Sequence, residues 1–128
     1  MKRRRFITAS ALLGCVGLNF GMVAKKKQLL HHVFFWLKNP NSEADKQELL
    51  SGLKTLGAIP VVRQIHIGLL ASTEPREVVD TTWQVSELLY FDNEVDQKTY
   101  QDHPIHQAFV KNYSHLWQKV VVYDMVEV

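Results

Sequence analysis

The sequence predicts an α+β fold in which a four-stranded antiparallel sheet carries both helices on one face. Three observations lead there. With 128 residues, 46% apolar and 22% charged, the chain has the length and composition of one globular domain. Its apolar segments switch between a period of two and a helical period in the order strand, helix, strand, strand, helix, strand. The strands are apolar at successive positions, so both faces of the sheet need cover.

Leu29 to Lys38 is apolar on both alternating faces and rich in aromatic residues, which suits a strand covered on both sides. Asn39-Pro40-Asn41 favours a turn and ends it. Ser42 stands in position to cap a helix, with Asp45 three residues on. Leu49, Leu50, Leu53 and Leu56 then mark one apolar helix face, until Gly57 and Pro60 stop it. Val61 to Leu70 reads as a second strand. Ala71 to Thr82 is a long polar connection, a candidate rim or lid. Trp83 to Phe91 reads as the third strand, and Asp92-Asn93 as the start of a second helix carrying Val95 and Tyr100. His103-Pro104 interrupts that helix, because proline disfavours helix in the residue before it and suits a first helical turn. Ile105, Ala108, Phe109, Asn112 and Leu116 line its continuation, and Val120 to Val128 closes the sheet.

This order is the split pattern of the ferredoxin-like fold, βαββαβ. Helices cover one sheet face, yet Phe34, Trp36, Val85, Tyr90 and Val122 distribute apolar bulk over both. A face meeting water should be polar. A second copy of the same sheet is the simplest cover, which makes the expected molecule a homodimeric α+β barrel.

Residues 1–24 read as an export signal, residues 25–29 as a basic linker and residues 30–128 as the working domain. Lys2-Arg3-Arg4-Arg5 precedes an uncharged, mildly apolar stretch from Phe6 to Ala24. Arg3-Arg4-Arg5-Phe6-Ile7 resembles the twin-arginine export motif, with Lys2 where that motif usually has serine. The expected location is therefore periplasmic or extracellular. An ordinary secretory signal and an uncleaved membrane anchor are the alternatives. Leu12-Leu13-Gly14-Cys15 also resembles a lipoprotein box, so contact with a membrane would come only through the signal segment or a lipid on Cys15. Removing Lys2–Arg5 from the 15 basic residues leaves 11 against 13 acidic ones, too few for a phosphate-neutralising surface. No nucleic-acid partner is expected, and a single cysteine excludes an intrachain disulfide framework.

Three segments resemble the stress-responsive A/B barrel (Dabb) family: His32-Val33-Phe34-Phe35-Trp36-Leu37-Lys38, Tyr100-Gln101-Asp102-His103-Pro104-Ile105-His106 and Val120-Val121-Val122-Tyr123-Asp124. The middle one is the most specific. The resemblance covers about residues 30 to 127 and implies a homodimeric barrel with an apolar cavity. His32, Tyr100 and His106 match residues used by the polyketide-cyclase branch of that family, while the position of a further histidine is Val85 here. Aldol closure needs a base beside a carbonyl and a donor for the enolate oxygen, roles open to histidine and tyrosine.

His32, Tyr100 and His106 are thus the candidate catalytic residues, expected to share one pocket. His31 and His32 must point to opposite faces, and the family match selects His32. Phe34, Trp36, Trp83 and Phe109 are the candidate ligand-binding residues. His103 and His106 are three apart, with His66 and His115 elsewhere, but no metal site is expected because no third ligand stands at a telling spacing. No cofactor is expected either. The leading functional reading is a dimeric barrel that binds a small apolar or aromatic molecule. The alternative is a cofactor-free acid–base enzyme of polyketide-cyclase (lyase) or monooxygenase type.

Overall fold

The computed structural model describes residues 27–128. The export signal read at residues 1–24, Cys15 included, lies outside them. Four strands, β1 (Leu29–Leu37), β2 (Gln64–Leu69), β3 (Val85–Phe91) and β4 (Trp117–Val126), form one antiparallel sheet in the order β2-β3-β1-β4. Among the described residues three helices, α1 (Glu43–Thr55), α2 (Glu94–Asp102) and α3 (Pro104–Tyr113), accompany the sheet, with 3-10 turns at Leu56–Ala58 and Ser114–Leu116. This is the ferredoxin-like arrangement, its second helix broken in two.

The caps explain where the helices begin. Ser42 Oγ accepts the Asp45 backbone N–H at 3.2 Å, and Asn93 Oδ1 accepts that of Asp96 at 2.8 Å. Leu49, Leu53 and Leu56 are fully buried, while Leu50 lies at the edge of the core. Each fully buried leucine contributes about 1.5–3 kcal/mol. At the break, His103 is extended (φ −66°, ψ 141°) and works in both directions. Its N–H bonds the Tyr100 carbonyl at 3.1 Å, closing α2, and its ring Nδ1 accepts the Ile105 N–H at 3.1 Å, opening α3.

Strand ends differ from the sequence reading. β2 starts at Gln64, because Val61 and Val62 turn at the end of the 3-10 segment, with the Val62 N–H on the Ile59 carbonyl. β3 starts at Val85, two residues after Trp83. β4 starts earlier than Val120, since Trp117 pairs with Leu37 across an irregularity in the register.

The parity of β1 sets everything that follows. Leu29, His31, Val33, Phe35 and Leu37 are buried on the helix face, and Leu30, His32, Phe34 and Trp36 alternate onto the outer face. Antiparallel partners share a face, so Glu87 joins Val33 beneath the helices and Ser86 joins Phe34 outside. The outer face also carries Tyr123 (66% exposed) and Met125 (54% exposed) and has no cover among the described residues.

Candidate functional site

Beneath the helices lies a cavity of about 240 Å³. Val33 and Phe35 form its floor, Phe109 and Val110 its helical wall, and Trp117, Val120 and Val122 its outer side. Val120 and Val122 on the edge strand β4 are 36% and 43% exposed, which opens the cavity between β4 and α3. Five polar residues interrupt this apolar lining: His31 from β1, Glu87 from β3, Tyr100 and Gln101 from α2, and His106 from α3.

Tyr100 is the hub. Its ring meets His106 edge-on at 4.8 Å between centroids, Phe91 at 5.0 Å and His31 at 5.8 Å. His31 Nδ1 is 2.5 Å from Asp124 Oδ1. A carboxylate only accepts, so the His31 Nδ1–H donates to Asp124 and aims Nε2 away from that carboxylate. Glu87 is 3% exposed, and its Oε2 finds no hydrogen-bond partner among the described residues.

Burial tunes these groups in different directions. It pushes the Glu87 carboxyl up to about 8. It also raises the Tyr100 phenol well above its ordinary value, with the Glu87 charge adding to the effect. The His106 imidazole is lowered, first by burial and then by the charge of His31, while a hydrogen bond to the Gln101 backbone works the other way. At neutral pH the cavity therefore holds a neutral carboxylic acid and a phenol as donors, and a neutral imidazole as acceptor.

Among protein families, the sequence model of the stress-responsive A/B barrel domain (Dabb) matches residues 29–127, the whole sheet and all three helices. The chain belongs to that family. Among solved structures, a Dabb protein with a ferredoxin-like fold from Mesorhizobium loti is 24% identical over 80% of this chain and 98% of its own, with a TM-score of 0.66. A dimeric ferredoxin-like protein of unknown function from Bacteroides fragilis is 25% identical, covering 77% of this chain and 94% of its own, at a TM-score of 0.61. The hydroxynitrile lyase of Passiflora edulis is 19% identical and aligns over 80% of this chain and 95% of its own, at 0.65. No curated protein matches the sequence closely enough to count as a relative.

Within this Dabb domain the structure brings Tyr100, His106 and Phe109 together, but not His32. The expectation of His32 in their pocket is corrected: it lies on the outer face, and His31 takes the inner place. His32 Nε2 is 3.0 Å from Ser86 Oγ, which itself donates to the Val33 carbonyl at 2.8 Å. Burial lowers its pKa. Phe34, Trp36 and Trp83 are likewise outside. They border shallow outer depressions, one of about 90 Å³ with Asp80 and Tyr123 and one of about 320 Å³, which Phe34 and Trp83 share with His32 and His66. The Trp36 indole donates to Thr82 Oγ1 at 2.8 Å, and Lys119 lies over its ring.

The other histidines disperse. His103 serves the helix break, His66 contacts Gln64 and His115 lies 3.7 Å from Glu48. Among the described residues no three histidine, cysteine or acidic side chains cluster as a metal site.

Sequence reasoning missed Glu87 and passed over His31. Glu87 had a signal: a carboxylate two residues from Val85 and Leu89, at an inward position of an otherwise apolar strand. His31 had none, because both parities of β1 are equally apolar.

Proposed function

We propose that this chain forms one half of a homodimeric barrel whose helix-side cavity binds a small, mostly apolar molecule. One observation carries the reading. Five polar residues converge in an apolar cavity, and one of them, Glu87, keeps a buried carboxyl oxygen without a hydrogen-bond partner among the described residues. An unsatisfied buried group costs about 1–3 kcal/mol, which a bound molecule with a matching polar atom offsets. The volume of about 240 Å³ lies just under the usual small-molecule range of roughly 300–1,000 Å³, so the occupant is small.

Dimerisation is supported by the apolar outer face, which the described residues leave uncovered, and by the dimeric description of the Bacteroides fragilis neighbour. Export through the twin-arginine route, to the periplasm or beyond, is supported by Arg3-Arg4-Arg5-Phe6-Ile7 and the uncharged stretch after it. Lysine at all three arginine positions should retain the precursor in the cytoplasm, because that route reads paired arginines. A lipid on Cys15 is the alternative fate of the segment.

A second reading, cofactor-free acid–base catalysis, is favoured by the His31–Asp124 pair. A carboxylate that orients an imidazole makes Nε2 a directed base, and Glu87 is a candidate acid across the same cavity. The likeness to a hydroxynitrile lyase fits the lyase form of this chemistry better than the monooxygenase form.

The binding reading is tested by mass spectrometry of small molecules retained on the natively expressed chain. His106→Ala should release them while light scattering still reports a dimer. A variant that loses its fold and shows no separable binding defect would assign His106 to structure.

A further inference from the structure

Glu87 is not among the residues that carry the family resemblance, yet it is the most deeply buried charged side chain described. It sits on β3 opposite Val33, so its side chain points into the layer between sheet and helices. On its other side β2 sets Ile67 beside it, and the buried residues of α1 are Leu49, Gly52 and Leu53, none able to pair with a carboxyl group. The titratable groups that share its cavity are His31, held by Asp124, with Tyr100 on α2 and His106 on α3. None of them is hydrogen-bonded to Glu87 Oε2. The fold has built a polar atom into an apolar wall and given it no internal use.

We propose that Glu87 is the specificity-determining hydrogen-bond donor of this cavity, selecting an uncharged carbonyl compound over a hydrocarbon of the same shape. The proposal rests on the cavity being a binding site, as argued above. A carboxylic acid in an apolar wall has one O–H to give, and a carbonyl oxygen is the acceptor that satisfies it without bringing a charge into the cavity. Burial keeps the group in the donating form at neutral pH, since its pKa is raised to about 8. Above that, the carboxylate loses the donor and repels the carbonyl oxygen. The preference should therefore switch off in alkali, while Tyr100, raised further, stays protonated.

The probes are acetophenone and α-methylstyrene, which share one shape and differ by an oxygen in place of a methylene. Calorimetric titration of the full chain at pH 7 should show acetophenone binding about ten-fold more tightly, the worth of one net hydrogen bond. At pH 9.5 the preference should collapse. Glu87→Gln retains an N–H donor at every pH, so its preference should persist at pH 9.5. Glu87→Leu should bind both probes alike. An unchanged preference in Glu87→Leu, or the same alkaline loss in Glu87→Gln, would overturn the role of Glu87 and leave the binding cavity standing. If neither probe binds at either pH, the cavity reading falls and takes this assignment with it.

Discussion

The rings of Tyr100 and His106 meet edge-on, 4.8 Å between centroids, although they lie six positions apart across a helix break. On one continuous helix they would stand about 120° apart around the axis and could not share a pocket. The extended backbone at His103 restarts the helix at Pro104 and turns His106 onto the Tyr100 ring. The His-Pro pair is thus the device that assembles the site.

His103 should behave as a cap. His103→Ala removes the acceptor for the Ile105 N–H and should cost about 1 kcal/mol, with recovery in His103→Asn. Thermal unfolding checks this. Equal losses in both variants would mean that the ring, and not its acceptor nitrogen, matters at this position.

Gly52 is fixed by packing. A Cβ there would lie 2.8 Å from the Tyr113 ring, so Gly52→Ala should destabilise by about 1–3 kcal/mol despite its better helix propensity. Gly57→Ala meets Ile65 Cγ2 at 3.5 Å, an ordinary contact, and should be close to neutral. Urea unfolding of the two variants measures the contrast.

Much of the fold was legible because it rests on local signals. Ser42 and Asn93 announce their helices through short polar side chains, Asn39-Pro40 ends a strand, and the leucines of α1 keep a strict spacing. The paired use of Tyr100 and His106 was also readable from Pro104. The face of β1 was not. Leu30, Phe34 and Trp36 are as apolar as Leu29, Val33 and Phe35, so sequence alone cannot say whether His31 or His32 turns inward. The pairing with β3 and β4 decides it. The same ambiguity divides the candidate ligand-binding residues: Phe109 lines the inner cavity, whereas Phe34, Trp36 and Trp83 border the outer depressions.

Stability should fall as pH rises, through Glu87. Its pKa is about 8 in the fold and about 4.5 unfolded, so between those values the unfolded chain binds fewer protons. The penalty is absent below about pH 4.5, grows until about pH 8 and is then constant, with a limit of roughly 3–5 kcal/mol. Glu87→Gln should gain on the native chain from pH 5 to pH 8.5 by urea unfolding. His106 and His32, both lowered, cost stability in acid instead, equally in the two proteins. A pH-independent difference would contradict the assignment.

The outer face should be the dimer surface. Phe34→Asp places a charge among Trp83, Tyr123 and His32, on the opposite side of the sheet from the cavity. Light scattering should report a dimer for the native chain and a monomer for the variant. A native monomer at micromolar concentration would refute it.

The binding site itself is tested most directly by a crystal structure of the full chain grown with acetophenone. The expected result is a ring between His106, Phe109 and Trp117, with the carbonyl oxygen within hydrogen-bond reach of Glu87. Density confined to the outer depression beside His32, Phe34 and Trp83 would contradict it.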